Sequence, residues 1–254
     1  MRLDVYLFDS GECASRTEAK SFISDGCVTV NGVAVTKPAY DVSDSDVITV
    51  DKSGKKYASR GGLKLEHALD TFAVSPMGKS ALDVGASSGG FTDCLLQRGA
   101  RAVVAVDSGS GQLLESLRRD RRVTSIENYN ARFMRPEDLP FIPELAVMDV
   151  SFISATYIIP AVYAVLADGA DFICLVKPQF EVGKSGIGKG GIVKDVRLRE
   201  SALKKVTDFA AACGFSVIAT TTSPITGGDG NTEYLAHFRK EVSLCEKSNN
   251  SSES

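Results

Sequence analysis

The stretch SALDVGASSGGF at residues 80–91 constrains the fold of this chain more than any other. It begins as a short apolar run, which is typical of a buried strand, and continues as a loop of glycines and small residues. Residues 92–97 then have the pattern of the first turns of a helix. A strand, a glycine loop and a helix in succession form the first unit of a nucleotide-binding α/β sheet, in which ligands bind beyond the carboxyl ends of the strands. The sequence therefore predicts an α/β fold with a ligand site at this loop.

The residues of this loop limit the ligand that it can take. The loop lacks the Lys-Ser/Thr pair of a phosphate-binding loop, and its glycines do not have the dinucleotide-binding spacing. Asp83, just before the loop, would repel a phosphate, whereas S-adenosylmethionine carries a sulfonium, an amino group and no phosphate. We therefore predict S-adenosylmethionine as the cofactor, the alternative being an ordinary tight turn. The predicted contacts are Asp83, Gly85, Ser87, Gly89, Gly90 and Phe91.

A second acidic residue, Asp107, ends the next apolar run. It follows the glycine loop by close to the roughly twenty residues expected for a group that binds ribose hydroxyls, and a carboxylate can accept from both hydroxyls. A surface aspartate at a strand end is the alternative. Asn130 follows the next short strand, and we predict that it contacts the adenine. Asp149, inside the apolar run 145–150, completes the predicted cofactor contacts.

Composition excludes several classes of protein. The chain has 254 residues, which suits one or two domains, and its 43% hydrophobic content supports a sizeable core. Its net charge of −3 favours neither a nucleic acid nor a membrane as partner, although a local basic face can still exist. No apolar run is long enough to span a membrane, and the first residues lack the apolar core of a signal peptide. We expect a cytoplasmic protein.

Cysteine and histidine usage argues against metal sites and disulfides. The six cysteines are scattered without a C-x-x-C motif, and the chain has only two histidines. Reduced thiols in a cytoplasm are the simplest interpretation, and we predict no metal.

The first fifty residues predict a small α+β unit. Ser15 is a candidate N-cap of the second helix, with Glu18 as its capping-box partner. Residues 28–35 contain an Asn-Gly pair between two apolar runs, which predicts a hairpin, and residues 46–50 predict a third strand. The resulting domain prediction is a first domain at 1–52, a 53–59 linker, a second domain at 60–240 that contains the glycine loop, and a 241–254 disordered tail.

Residues 2–4, 15–19 and 26–32 resemble the αL RNA-binding module of a ribosomal small-subunit protein, pseudouridine synthases and tyrosyl-tRNA synthetases. The resemblance implies RNA contacts from the second helix and the turn after it. Arginine and lysine suit phosphate contacts, although acids balance bases in this region and ordinary solvated charges are the alternative. The predicted RNA-binding residues are Arg2, Arg16, Thr17, Lys20, Lys37 and Arg60.

Four charged residues stand out by their positions. Lys64 lies at the start of a predicted helix, where the helix dipole disfavours a cation, and Asp149 lies inside an apolar run. Lys177 ends a predicted strand and Glu233 begins the last one. A ribose 2′-hydroxyl is a poor nucleophile until it loses its proton, and a partly buried lysine beside another cation can act as the base. We predict Lys177 as that base, Asp149 as the group that orients it, and Lys64 and Glu233 as groups that fix the array. Paired surface ions are the alternative.

Five segments together resemble the TlyA family, methyltransferases with an FtsJ-like catalytic domain. They are residues 59–65, 83–94, 149–154, 177–181 and 223–227. The resemblance runs from residue 1 to about residue 239, with serine at position 88 where the family usually has threonine. It implies a Rossmann-like class I methyltransferase sheet, mostly parallel with an antiparallel last strand, and a small N-terminal α+β RNA-binding domain. It also implies 2′-O-methylation of cytidines in ribosomal RNA by a Lys-Asp-Lys-Glu tetrad.

The tetrad of the family corresponds here to Lys64, Asp149, Lys177 and Glu233. The predicted partners are ribosomal RNA or ribosomal subunits, with no metal and no membrane, and the chain is expected to be a monomer or a weak dimer. Two alternatives remain open at this point. One is a membrane-active haemolysin, because the family also carries that label, and the other is an RNA-binding factor without catalysis.

Overall fold

The computed structural model describes residues 1–51, 56–227 and 230–242. Residues 53–55 of the predicted linker and residues 243–254 of the predicted tail lie outside these ranges. We call residues 1–51 the N-terminal unit and the described residues from 56 onward the C-terminal unit.

The N-terminal unit packs two helices on a three-stranded antiparallel sheet with the order β2-β1-β3. Its elements are α1 (Leu3–Asp9), α2 (Arg16–Ser24), β1 (Val28–Val30), β2 (Val33–Ala34) and β3 (Ile48–Val50). The predicted N-cap is present, since the Ser15 side chain accepts from the backbone N–H of Glu18. The Glu18 carboxylate accepts from the N–H of Ala14 instead of that of Ser15, so the predicted capping box is shifted by one residue.

The C-terminal unit is a seven-stranded sheet between helices. Its main elements are α3 (Gly61–Thr71), β4 (Ser80–Val84), α4 (Gly90–Gln97), β5 (Ala102–Val106), α5 (Glu115–Arg118), β6 (Val123–Ile126), β7 (Leu145–Met148), α6 (Ile159–Val165), β8 (Asp171–Val176), α7 (Pro178–Glu181), α8 (Val196–Ala212), β9 (Phe215–Thr222) and β10 (Tyr234–Lys240). The strand order is β6-β5-β4-β7-β8-β10-β9. Strand β10 is antiparallel to both of its neighbours, and the other described pairs are parallel.

Apolar side chains cover both faces of this sheet. Leu65 of α3 and Leu95 of α4 belong to the buried cluster on one face. Ile159 of α6 and Val206 of α8 belong to the cluster on the other. Burial on both faces explains why the central strands read as unbroken apolar runs.

Two predicted elements differ from the structure. The strand predicted over residues 145–150 ends at Met148, so Asp149 is the first residue beyond the strand. The sequence also predicts one helix over residues 155–166, which the structure divides into a 3₁₀ turn at Ala155–Tyr157 and α6. Pro160 lies in the first turn of α6 and has no N–H to donate to the preceding turn, so one continuous helix cannot form there.

One edge of the sheet collects the predicted functional residues. The carboxyl ends of the parallel strands lie at this edge, and β10 begins there because it runs in the opposite direction. Gly85 follows β4, Asp107 follows β5, Asp149 follows β7, Lys177 follows β8 and Glu233 precedes β10. This is the edge at which ligands bind in open α/β sheets.

The two units touch beside this edge. The hydroxyl of Thr17, at the start of α2, donates to the carbonyl of Gly111 at 2.9 Å. The Ser21 hydroxyl donates to the carbonyl of Ala58 at 3.1 Å. Helix α2 therefore lies against the loops of the C-terminal unit.

Candidate active site

The glycine loop depends on close backbone packing. Gly85 has φ of +84°, and a Cβ at this position would run into the carbonyl oxygen of Asp149. The N–H groups of Gly85 and Ala86 both donate to the carbonyl of Val106, at 2.8 and 3.2 Å. Only glycine combines this conformation with so close a neighbour, so the loop lies directly against the residue that follows β7.

Asp107 is fixed by the loop that it supports. Its Oδ2 accepts from the N–H of Ser87 at 2.8 Å, and its Oδ1 accepts from the N–H of Gly109 at 2.7 Å. A carboxylate has about four acceptor positions, so each oxygen keeps capacity for a second donor. The geometry thus presents two acceptors that suit a vicinal pair of hydroxyls.

A cavity of about 360 Å³ lies in front of this carboxylate. We call it the Asp107 cavity. The predicted residues Gly85, Ser87, Asp107, Asn130 and Asp149 all line it. The carbonyl oxygen of the Asn130 side chain accepts from the N–H of Arg132 at 3.1 Å, which leaves its NH₂ group to face a ligand. The cavity thus offers acceptors for hydroxyl groups and an amide group, and its lining has no phosphate-binding lysine. These features fit S-adenosylmethionine.

The sequence analysis missed other residues of this wall. They include Ser108, Gln112, Phe152 and Ile153. Each follows a strand that the sequence did indicate, but its residue type carries no distinctive chemistry, so position after a strand is the only signal that could have found it.

Asp83 and Gly89 line neither the Asp107 cavity nor the adjoining cavity around Lys64. Asp83 is fully buried beneath the loop, and its Oδ2 accepts from the Thr92 hydroxyl at 2.6 Å. Burial raises the pKa of Asp83 to about 7. A Cβ at Gly89 would run into the side chain of Leu117. Both residues support the loop from behind, and their contact with the cofactor stays a prediction.

A second cavity of about 270 Å³ adjoins the first. We call it the Lys64 cavity. Lys64, Lys177, Asp149, Gly90 and Phe91 line it, as do Ser24 and Asp25 from the N-terminal unit. Gly85, Ser87, Asp149 and Ser151 line both cavities. Because the two cavities share these residues, molecules bound in them would lie next to each other. Transfer of a group between two bound molecules requires this proximity.

Lys177 and Asp149 form an ion pair at this common wall. The distance from Lys177 Nζ to Asp149 Oδ1 is 2.6 Å, and the two side chains are 11% and 20% exposed. Lys177 Nζ also donates to the hydroxyl of Ser151 at 2.8 Å, a contact that the sequence analysis missed. The amine is thus held by two oxygens at the boundary of the cavities.

Lys64 and Glu233 form the second pair. Lys64 Nζ lies 2.5 Å from Glu233 Oε2, with the side chains 10% and 2% exposed. Glu233 does not line the Lys64 cavity but holds the lysine from behind. The structure therefore brings three of the four predicted residues to one cavity, and the fourth, Glu233, contacts one of them through an ion pair.

The pairing corrects one part of the sequence argument. We expected a neighbouring cation to make Lys177 easy to deprotonate. Among the described residues, the charged partner of each lysine is a carboxylate, Asp149 for Lys177 and Glu233 for Lys64. A carboxylate stabilises the ammonium form, so the pairs help most after a proton has been taken up.

The six predicted RNA-binding residues separate into two places. Arg2 and Arg16 both contact the fully buried Asp4, at 2.9 and 3.2 Å, and Lys37 is exposed elsewhere on the N-terminal unit. The others lie at a cleft between the units and at the cavity beside it. Thr17 and Lys20 line this cleft, and Arg60 lines the Lys64 cavity next to it.

Comparison with known proteins identifies the family. Residues 57–240 match the FtsJ-like methyltransferase family, which covers the whole edge described above. The chain belongs to the FtsJ-like methyltransferase family. The predictions of a methyltransferase and of S-adenosylmethionine as its cofactor are therefore confirmed. Residues 1–48 match the S4 domain.

Relatives match nearly the whole chain. Hemolysin A of Brachyspira hyodysenteriae is 47% identical, over 94% of this chain and 99% of its own. The 16S/23S rRNA (cytidine-2'-O)-methyltransferase TlyA of Mycobacterium tuberculosis is 43% identical, over 95% of this chain and 90% of its own. The resemblance to the TlyA family is therefore confirmed.

Solved structures agree with the predicted fold. A structure described as a hemolysin candidate from Streptococcus thermophilus is 44% identical, with a TM-score of 0.76 over 96% of this chain and 89% of its own. A Listeria monocytogenes structure described as an S-adenosylmethionine-dependent methyltransferase is 15% identical, with a TM-score of 0.54 over 72% of this chain and 99% of its own, and shares the fold. The Rossmann-like fold class, with its antiparallel strand, is confirmed.

The described residues contain neither a candidate membrane-spanning helix nor a candidate metal site. No helix in residues 1–51, 56–227 or 230–242 is long and apolar enough to cross a membrane. In the same ranges, no group of three or more His, Cys, Asp or Glu side chains could hold a metal ion.

Proposed function

We propose that this chain transfers a methyl group from S-adenosylmethionine to the 2′-hydroxyl of a cytidine in ribosomal RNA. The observation that carries the proposal is the Lys177–Asp149 ion pair at the wall shared by the Asp107 and Lys64 cavities. Relatives that are 43% and 33% identical and bear the name rRNA (cytidine-2'-O)-methyltransferase support this acceptor. Free ribosomal RNA or an assembled subunit is the substrate, which implies action in the cytoplasm.

The Asp107 cavity is the proposed cofactor site. Asp107 would accept hydrogen bonds from the ribose hydroxyls, and Asn130 would donate to the adenine. Gly85 would allow the backbone to approach the ligand closely. When bound, S-adenosylmethionine supplies an activated methyl group on a sulfonium, whose departure needs no proton. The chain must therefore supply alignment and a base for the acceptor.

Lys177 is the proposed base. Its ammonium would first give up a proton to solvent, and the neutral amine would then take the proton of the 2′-hydroxyl at Nζ. The ammonium that is formed again would face Asp149 Oδ1 at 2.6 Å. The carboxylate thus stabilises the lysine once it has become charged. Lys64, held by Glu233, would place its ammonium on the ribose or its phosphate in the Lys64 cavity. Alignment of two reactants in one site accounts for a large part of such catalysis.

The proposed domains are residues 1–52 for RNA binding and residues 60–240 for catalysis. The N-terminal unit is thus the proposed RNA anchor. Arg2 and Arg16 keep about half of their side-chain surface exposed while they contact Asp4. Their remaining N–H groups would bind phosphates, and Lys37 would add a further cation. Thr17, Lys20 and Arg60 would contact RNA in the cleft between the units.

The test is methyl transfer by the purified full chain. S-adenosylmethionine with a labelled methyl group is incubated with ribosomal RNA, with isolated subunits and with a 2′-deoxycytidine-substituted target. Label on the RNA but not on the deoxy target supports the proposal. Binding of S-adenosylmethionine without any transfer to either form of ribosomal RNA would favour an RNA-binding factor without catalysis.

A second candidate is membrane lysis, which the name of the Brachyspira relative favours. Release of a dye from vesicles by the purified wild-type chain would support it. The Lys177→Ala variant separates the two activities, because loss of the amine should abolish methyl transfer and leave a lytic activity unchanged.

A further inference from the structure

Glu181 is a buried carboxylate that the proposed reaction does not use directly. It is the last residue of α7, four residues after Lys177, and its side chain is 2% exposed. A buried carboxylate is costly unless donors surround it, so its partners show what it holds together.

Three donors from two other segments converge on this carboxylate. Oε1 accepts from the N–H of Ala155 at 2.7 Å. Oε2 accepts from the hydroxyl of Ser154 at 2.6 Å and from Lys205 Nζ of α8 at 2.9 Å. Glu181 therefore connects α7, the loop after β7 and helix α8.

The loop held in this way carries one of the four proposed catalytic residues and a second partner of Lys177. Asp149 and Ser151, both partners of Lys177 Nζ, lie between the end of β7 and Ser154. Phe152 in the same loop has φ of +65°, a conformation that a bulky residue keeps only when its surroundings impose it. Lys177 itself lies directly before α7 and is its N-cap. Both members of the Lys177–Asp149 pair thus depend on segments that Glu181 joins.

We infer that Glu181 is a positioning residue for methyl transfer: its hydrogen bonds to Ser154 and Ala155 keep Asp149 and Lys177 in line at the boundary of the two cavities. The inference rests on the proposed function. Glu181 does not line the Asp107 cavity, but the loop that it holds does, so its loss should lower turnover more than cofactor affinity.

The experiment measures kcat, KM for S-adenosylmethionine and equilibrium binding of S-adenosylmethionine, with ribosomal RNA as acceptor. Glu181→Ala should lower kcat by at least about 10-fold, because a displacement near 1 Å at a reacting group can cost about 100-fold. Its KM and affinity for S-adenosylmethionine should change by a smaller factor than kcat, because the proposed cofactor contacts at Asp107 and Asn130 lie on other loops. Lys204→Met is the matched control, since Lys204 lies next to Lys205 but pairs with the exposed Asp208.

A rescue variant keeps the test decisive if Glu181→Ala does not fold. In Glu181→Gln the amide NH₂ can donate to the Ser154 hydroxyl, but it would oppose the Lys205 ammonium, so kcat should fall. Adding Lys205→Met removes that conflict, and the double variant should regain the kcat of Lys205→Met alone. A purely structural carboxylate would change thermal unfolding in these variants without this pattern in kcat.

Three outcomes decide the matter. If Glu181→Ala turns over like Lys204→Met, or if cofactor affinity falls by at least as large a factor as kcat, the inference is overturned. The same holds if the double variant turns over no faster than Glu181→Gln. An inert wild-type chain would remove the proposed function and the inference with it, whereas an active wild type with any of the other outcomes removes the inference alone.

Discussion

Lys177 and Asp149 come from neighbouring parallel strands, and their side chains meet 2.6 Å apart where the two cavities join. Each residue is the first beyond its strand, so the register of β7 against β8 sets this contact. The sheet register thus brings the proposed base and its partner together, and Glu181 holds the segments that follow the two strands.

Replacement of Lys177 by methionine should abolish turnover. Methionine keeps much of the apolar length of lysine but cannot accept a proton, so we expect kcat to fall by at least about 100-fold, the lower end of the effect of a general base. Binding of S-adenosylmethionine, measured by calorimetry, should remain near the wild-type value. Turnover within a few-fold of Lys204→Met would show that another group takes the proton.

The Asp107 carboxylate should dominate cofactor affinity. Asp107→Ala removes the two acceptors proposed for the ribose and frees the N–H groups of Ser87 and Gly109. Hydrogen bonds to a charged group are worth about 1.5–3 kcal/mol, so affinity for S-adenosylmethionine should fall by about 10- to 100-fold. Glu137→Gln, at an exposed carboxylate, is the control in the same titration. Equal affinities for the two variants would place the ribose elsewhere.

Gly85 and Gly78 offer a matched pair for the glycine loop. Both have positive φ, +84° and +72°, but a Cβ at Gly85 would meet the Asp149 carbonyl while one at Gly78 meets open space. Gly78→Ala should therefore cost only backbone strain, about 1–3 kcal/mol of unfolding free energy. Gly85→Ala should cost more and also weaken S-adenosylmethionine binding. Chemical denaturation and calorimetry measure the two effects, and similar results for both variants would contradict the predicted collision.

Asp83 should make stability depend on pH. Its pKa in the folded chain is about 7 because burial disfavours the charge, whereas an unfolded aspartate has a pKa near 3.9. The stabilising contribution is complete below pH 4, where both states are protonated, and is lost as pH rises through 7. Asp83→Asn keeps an acceptor for Thr92 without titrating, so its unfolding free energy should fall less than that of the wild type between pH 4 and 7. Parallel curves in urea titrations would show that Asp83 is ionised in the folded chain.

Asp4 gives a prediction whose sign separates two explanations. The Arg2 hydrogen bond, the largest effect, and that of Arg16 keep the pKa of Asp4 below its usual value. Asp4→Asn makes the N-terminal unit more positive, so simple electrostatics predicts tighter RNA binding. If Asp4 instead holds the two guanidinium groups in place, RNA binding should weaken by several-fold. A filter-binding titration at fixed salt decides between the two, and Asp44→Asn, at an exposed acid of the same unit, is the control.

Elements that are determined by residues next to each other in the chain could be predicted from the sequence. The Asn31-Gly32 turn has positive φ at both residues, +52° and +78°, as a two-residue hairpin turn requires. The loop at Gly85 was found for a similar reason, since glycines with a particular spacing after an apolar run indicate a close backbone approach. These features depend on neighbouring residues alone, so they can be read from the chain.

Depth and pairing could not be predicted in the same way. Asp83 and Asp107 both end apolar runs, yet one is fully buried and the other faces a cavity. That difference depends on α4, whose Thr92 covers Asp83. Glu181 likewise had no sequence signal, because its donors at Ser154 and Lys205 lie 27 and 24 residues away.

The direction of β10 has a consequence for how the enzyme is made. Glu233 is 169 residues from Lys64 along the chain. It lies at the same edge of the sheet as the other site residues only because β10 is antiparallel to β8. A nascent chain that ends before residue 233 can form most of the sheet but leaves a largely buried lysine without its counterion. Synthesis must therefore pass residue 233 before the Lys64 ammonium can have this counterion.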